Sequence, residues 1–421
     1  MSKGRYHSVE CKGVDWDALA TQVAGRCLVF AVDVAKHDFV ACLRVADEDP
    51  LVRVKWQHPE ETPTVLTGLG RLIAAGPVAA VMESSGTYGD ALRWQLGQLG
   101  ATLYRVSAKR VHDAAEVFDG VPSLHDPKAA DIIAELHDLG HSQEWLQADT
   151  HRRALTAQLK MLHQCKARHQ QELNRLEALL SRHWPEALTL LDLDSVTLHH
   201  LIAAYGGPAQ VHALEGQART LMQKIGRPGL AAAKIEALLD SAGHTVGMPC
   251  ILEERELLRW QAKAVVDTHT ELRRIEKLIE QAVAGDPALA SLRSVVGPVT
   301  SAVLLAAQGS PLSYPDADSY CKGLGLNLTE RSSGKHKGRL KITKRGPAVA
   351  RFYLYFAALR LIANEPVVAK WFKAKTARPG AIKGKQVVEL MRKLAKALWH
   401  HAHGRLFQAE KLFDQRAVAG A

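Results

Sequence analysis

Cysteine is sparse in this 421-residue chain and follows no pattern: Cys11, Cys27, Cys42, Cys165, Cys250 and Cys321 include no CxxC pair. That scatter argues against a zinc ribbon and a disulfide framework, and it suits a reducing cytoplasm. Long apolar runs are missing as well. No stretch approaches 18 uninterrupted apolar residues, so no membrane span is expected. The opening MSKGRYHSVECKGVDWD lacks the apolar centre of a secretory signal. Material for cores is ample, since 47% of residues are hydrophobic and 23% charged, and the length predicts two or three domains.

Acidic residues are scarce in one region above all. Between Glu330 and Lys396, 18 Lys and Arg stand against 3 acids, a local charge of +15. The whole chain carries +10, so everything outside that region comes to −5. Cations clustered at this density gain from counterion release when they meet a polyanion, so this segment is expected to face nucleic acid. The competing reading is a solvated basic surface.

The N-terminal third alternates strands and helices. LVFAVDVAKHDFVACLRV (28–45) reads as two strands around a tight turn at Lys36-His37, LVRVKWQ (51–57) as a third, and 63–75 as a helix. PVAAVMES, from Pro77, is a short buried strand of the parallel type. GDALRWQLGQLG is then a helix ended by Gly100, ATLYRVSA the next strand, and a further helix opens at Asp126-Pro127. This succession is RNase H-like.

From 151 to 181, Leu155, Leu159, Leu162, Leu173, Leu176 and Leu180 keep a 3–4 spacing that Lys166 and His169 interrupt. Leu258, Val265, Leu272, Ile275 and Ile279 do the same within 251–284. Two such segments predict an antiparallel or intermolecular coiled coil, or else two amphipathic helices on a globular body. Residues 188–250 between them mix short helices with Gly/Pro turns and carry no interpretable motif. LRSVVGPVTSAVLLAAQG after Pro287 reads as helix, Gly-Pro turn and helix, resembling a helix-hairpin-helix whose turn amides bind phosphate. A basic loop, a helix over 347–363, a flexible basic run KAKTARPGAIKGK and a last helix from 386 to about 412 complete the chain. The expected architecture is thus α/β plus α: an RNase H-like domain over 1–150, a coiled-coil region over 151–285 with 188–250 inserted, and a mostly helical domain over 286–421.

Three acids end or open these elements: Asp33 and Glu83 at the ends of apolar strands, and Asp126 at the start of a helix. An unpaired carboxylate inside an apolar run is expensive, so acids placed there point to metal ligation rather than chance. Metal-assisted phosphoryl transfer needs such carboxylates to converge on Mg²⁺. Asp126 also reads as an N-cap with Pro127 at the first helical position. A fourth carboxylate on its helix face belongs three or four residues on, at Ala129 or Ala130, and neither binds metal. Asp131 lies roughly 140° round the helix and belongs to another face. Far downstream, ERSSGKHKGRLKITKRG places Ser333, with Ser332 as alternative, among Lys335, Lys337, Arg339, Lys341, Lys344 and Arg345. A serine amid phosphate-neutralising cations fits a nucleophile toward phosphate, the alternative being a turn serine.

In this order, these motifs resemble the DEDD transposases of bacterial insertion sequences, recombinases guided by a bridge RNA, over nearly the whole chain, and the resemblance implies that the RNase H-like domain is RuvC-like. The family's helix typically reads D-P-K-D-A, so the resemblance puts Ala129 where the last acid belongs and implies impaired catalysis, whether engineered or natural. It also implies two Mg²⁺ ions at Asp33, Glu83 and Asp126, and a covalent Ser333–DNA link made while donor and target DNA pair with the guide RNA. A homo-oligomer, a tetramer of two dimers, acting on the bacterial nucleoid is implied in the same way. The rival readings are a RuvC-like structure-specific nuclease and an inactive RNA- and DNA-binding protein.

Overall fold

The computed structural model describes residues 6–84, 86–226, 229–330 and 340–413, and the chain divides into two compact units, Met1–Ala148 and Asp149–Ala421. The first is built on a seven-stranded mixed sheet. Its elements run β1 (Val9–Glu10), α1 (Trp16–Val23), β2 (Leu28–Val34), β3 (Asp38–Val45), β4 (Pro50–Gln57), α2 (Thr62–Ala75) and β5 (Val78–Glu83). There follow α3 (Asp90–Leu99), β6 (Thr102–Val106), α4 (Ala108–Asp119), α5 (Asp126–Asp138) and β7 (Gln143–Glu144). Across the sheet the order is β1-β4-β3-β2-β5-β6-β7. The meander β2-β3-β4 is antiparallel, while β5 and β6 join β2 in parallel through the crossover helices α2 and α3. That is the RNase H-like α/β arrangement.

Period-two alternation divides the strands between two apolar layers. Leu28, Phe30 and Val32 of β2 pack with Leu69, Leu72 and Leu92 on one face. Val29 and Ala31 pack with Ala129, Ala130, Ile132 and Ile133 of α5 on the other. The helix α3 stops where Gly100 takes φ +98°, a backbone that glycine adopts without Cβ strain. The helix α4, between the last parallel strand and Asp126, has no counterpart in the sequence reading.

The second unit is almost entirely helical. α6 (Thr150–His183) opens with the Asp149 carboxylate accepting from the Arg152 amide at 2.7 Å. Short helices α7 (Pro185–Leu190), α8 (Val196–Tyr205), α9 (Pro208–Ala213), α10 (Glu215–Gly226) and α11 (Ala232–Gly243) lead to α12 (Leu252–Ala284). α6 and α12 pair antiparallel within the chain. Leu155, Leu159 and Leu162 meet Ile275, Ile279 and Val283 near one end, and Leu173, Leu176 and Leu180 meet Leu258, Ala262 and Val265 near the other. The polar interruptions of the leucine pattern are satisfied across this seam. Lys166 reaches Glu276 at 3.6 Å, and the His169 ring bonds the Thr268 hydroxyl at 2.8 Å. The uninterpreted 188–250 segment supplies Leu198, Leu201, Leu238 and Leu239 to the same core.

After α12 come α13 (Pro287–Val296), α14 (Pro298–Gln308), α15 (Ala317–Gly323), β8 (Leu328–Thr329), β9 (Lys341–Ile342), α16 (Ala348–Asn364), α17 (Pro366–Thr376) and α18 (Lys383–Ala402). The basic run expected to be flexible is in part helical, since α17 includes Lys373 and Lys375 and α18 starts at Lys383. The last helix is shorter than expected: it ends at Ala402, where Gly404 turns to φ +84° and its amide bonds the His401 carbonyl. Among the described residues no helix is long and apolar enough to cross a membrane.

Candidate functional site

The carboxylates come together through strand register. β2 and β5 pair in parallel with Val32 opposite Met82, so Asp33 and Glu83 occupy neighbouring positions at the same end of the sheet. Asp33 is in phase with Val29 and Ala31, and Glu83 with Val81, all of which lie in the layer covered by α5. α5 begins at Asp126 and packs on β2, β3 and β5. The three acids are therefore delivered by the ends of two adjacent parallel strands and the first residue of the helix laid across them.

Electrostatics records the convergence. Burial pushes the Asp33 carboxyl up from 3.8 to about 6, and the charges of Asp126 and then Glu83 push the same way. Asp33 and Glu83 are half-buried and Asp126 is exposed. Oxygen donors of this kind suit a hard divalent cation such as Mg²⁺. Even so, no group of three or more His, Cys, Asp or Glu among the described residues is arranged to hold a metal ion as it stands. Ala129, 3% exposed, gives only a methyl group to the layer between α5 and the sheet. The carboxylate oxygens are donors of the type a hard cation takes, and the Ala129 methyl adds no further donor on this side of α5.

Asp126 is not the cap of its helix. The cap position belongs to His125, whose ring accepts from the Lys128 amide at 3.4 Å, and Asp126 is the first helical residue. The turn 126–128 is instead fixed by a lysine. Lys128 is 1% exposed, and its Nζ donates to Asp119 Oδ1 at 2.6 Å, to the Val121 carbonyl at 2.6 Å and to the Ser123 carbonyl at 2.9 Å. Tyr6 donates to the other Asp119 oxygen at 2.6 Å, and the Val121 amide to Oδ1 at 3.0 Å. Held by Lys128 and Tyr6, the Asp119 carboxyl falls to about 2. This clamp closes the connection from α4 to Asp126. It escaped the sequence reading, although its signal was there: Lys128 lies one turn before Ile132 on the apolar face of α5.

Asp131 belongs to another arrangement. Buried at 3% exposure, it takes a two-pronged contact from Arg53 on β4, Nε to Oδ1 and Nη2 to Oδ2 both at 2.8 Å. Burial pushes the neighbouring Cys42 thiol up, and the Asp131 charge adds to it.

Ser332, Ser333, Lys335, Lys337 and Arg339 lie outside the described residues. The stem of their loop is described. β8 and β9 pair antiparallel, Leu328 with Ile342 and Thr329 with Lys341. The Thr343 amide bonds the Asn327 carbonyl at 2.9 Å, and Arg392 Nε bonds the Leu326 carbonyl at 2.9 Å. Gly346 is required below this stem, because a Cβ there would stand 2.2 Å from the Gly323 carbonyl. Lys341, Lys344 and Arg345 are exposed on it. The helix-hairpin-helix-like segment expected after Pro287 is α13, Gly297 at φ +79°, and α14; Arg360 ties it by donating to the Val296 carbonyl at 2.7 Å.

Two family models match the chain, together over more than half of it. Residues 30–185 match a transposase model of the DEDD type from IS110 elements, a span that contains Asp33, Glu83 and Asp126. Residues 288–373 match the model described as Transposase IS116/IS110/IS902 family, a span that contains the serine loop. No curated protein matches the chain. With an RNase H-like sheet gathering three acids and a helical region bearing the second match, the chain belongs to the IS110 family of DEDD transposases.

Proposed function

We propose that this transposase cuts and rejoins donor and target DNA under the guidance of a bridge RNA, through a covalent serine–DNA intermediate assisted by Mg²⁺. The observation that carries the reading is the convergence of the Asp126 and Glu83 charges on half-buried Asp33, whose carboxyl burial and those charges raise to about 6. Bound there, Mg²⁺ supplies neutralisation of the charge that develops on the transferring phosphate. In the protein step, the Ser333 hydroxyl attacks phosphorus, the Oγ–P bond forms as one P–O bond of the DNA breaks, and the leaving oxygen takes up the proton that serine gives. A DNA hydroxyl attacking that phosphoserine reverses the bond changes and rejoins a strand. Ser332 is the alternative nucleophile. Lys335, Lys337, Arg339, Lys341, Lys344 and Arg345 hold the phosphate backbone.

In this proposal Ala129 impairs the chemistry by withholding the ligand for a second ion. The division into a RuvC-like domain (1–150), a coiled-coil region (151–285) and a C-terminal transposase domain (286–421), the tetrameric dimer of dimers, and action on the nucleoid also belong to it. The test is a denaturation-resistant protein–DNA adduct. It is expected to be weak or absent in the chain as it stands, restored by Ala129→Asp, and removed again by Ser333→Ala. An adduct formed equally well with Ala129 in place would make the fourth carboxylate dispensable. Persistence without Ser333 but not without Ser332 would move the nucleophile. Cleavage with no adduct would favour a plain structure-specific nuclease. A second reading, binding without catalysis, is favoured by the apolar surroundings of Ala129, and no cleavage by Ala129→Asp would support it. Sequencing the RNA that co-purifies with the chain tests the guide.

A further inference from the structure

The chain has eight phenylalanines, and only Phe352 and Phe356 are exposed, at 54% and 48%. They stand one turn apart on α16, ring centroids 4.9 Å apart and edge to face, with Val349 exposed beside them at 37%. The 3–4 spacing puts all three on one stripe of the helix. The opposite stripe, Leu354, Ala357, Ala358 and Leu361, is already buried in the C-terminal core. The helix is therefore apolar on both sides, and the core accounts for only one of them.

Charge narrows what the exposed stripe receives. No acid occurs anywhere in α16, and exposed Lys344 and Arg345 come just before its first turn. The region from Glu330 to Lys396 carries +15. A second copy meeting this face across a two-fold axis would set the same cations against each other. A polyanion meets no such repulsion, and rings need an exposed π-face, which duplex DNA keeps inside its stack. We infer that the Phe352–Phe356 stripe of α16 is a stacking platform for unpaired bases of a single-stranded nucleic acid whose phosphates lie on the neighbouring cations. This deepens the reading of the chain as a nucleic-acid enzyme and rests on it.

The test uses the full chain and a single-stranded oligonucleotide carrying 2-aminopurine, with a duplex of the same sequence as control. Binding is expected to quench the fluorophore. F352A/F356A is expected to abolish quenching and weaken single-strand binding by about tenfold or more, as loss of base–aromatic stacking does, with duplex affinity unchanged. The pair F352L/F356L keeps apolar bulk and helix propensity but removes the π-face, and is expected to behave like the alanine pair. Unchanged single-strand affinity in both variants would overturn the inference. So would a leucine pair that binds like the parent, or alanine variants that retain strand binding but sediment as a smaller assembly, which would make the stripe an interface between protein copies. Quenching that depends on both rings, in a chain that forms no adduct even with Ala129→Asp, would sink the proposed chemistry and leave the platform standing.

Discussion

Asp126 and Asp131 sit five residues apart on one helix and meet opposite fates. Asp131 is buried, and both of its oxygens are taken by Arg53. Asp126 is exposed, and its charge bears on Asp33, as that of Glu83 does. The same α5 thus carries a neutralised acid that holds the helix to β4 and, at its first residue, another whose charge disfavours ionisation of Asp33. A fold left to itself pairs its buried charges, as it does at Asp131, since unpaired ones are costly. In the proposed function, the acids whose charges meet at Asp33 are where an outside cation has something to stabilise.

The sharpest way to break this comparison is to measure stability at both places. Asp131→Ala leaves the Arg53 guanidinium largely buried without a partner, and the expected loss is about 3–5 kcal/mol in denaturant unfolding. Asp33→Asn is expected to do the opposite at neutral pH. Its folded carboxyl titrates at about 6 against an ordinary 3.8, so its contribution is fully present below about pH 4 and lost as pH rises through about 6. Removing the charge should recover on the order of 2–3 kcal/mol above pH 6 and flatten the stability profile between pH 4 and 6. Mg²⁺ or Mn²⁺ should raise the melting temperature of the parent above pH 6 and leave Asp33→Asn unmoved. A loss of stability in Asp33→Asn would show that the acid is structural, like Asp131.

The clamp between these two sites gives a smaller effect. Lys128→Met removes the donor shared by Asp119, Val121 and Ser123, and leaves two carbonyls without their buried partner. Amide exchange over 119–127 is expected to quicken by about tenfold or more, while the strands β2 and β5 exchange as before. Equal quickening throughout the sheet would mean that Lys128 supports the whole unit rather than the presentation of Asp126.

How far the sequence foretold all this differed between the two units. In the first, apolar strands of the right length, the Gly100 stop and the Asp126-Pro127 start were local signals, and each reappears in β2 to β6 and α5. The convergence of Asp33, Glu83 and Asp126 was also legible, because register and period two follow from strand order. The lysine clamp and the Arg53–Asp131 pair were not, since each joins residues 9 and 78 positions apart through a fold that no local pattern specifies. In the second unit the leucine spacing gave α6 and α12, but their pairing within one chain depends on the intervening α7–α11 turning the chain back. The end of α18 was overrun because an apolar pattern continues past Gly404, and a single left-handed glycine outweighs it.

The smallest expected effect concerns the basic ribbon, and it contrasts the units directly: in the proposed function one gathers acids for a cation, the other cations for phosphate. Lys341, Lys344 and Arg345 are exposed on the described stem of the serine loop. Each side chain that contacts a DNA phosphate releases about one counterion, so replacing all three by Gln should flatten the slope of log K against log salt by about 3 for duplex DNA. Affinity should fall alike for every sequence, because phosphate contacts carry no base information. Folding should be untouched, as none of the three side chains is buried. A slope that stays put would place these cations against solvent or another subunit, and would confine the nucleic-acid path to the rest of the basic region. A change in sequence preference at constant slope would mean instead that one of them reads a base edge, and the ribbon would then contribute to target choice.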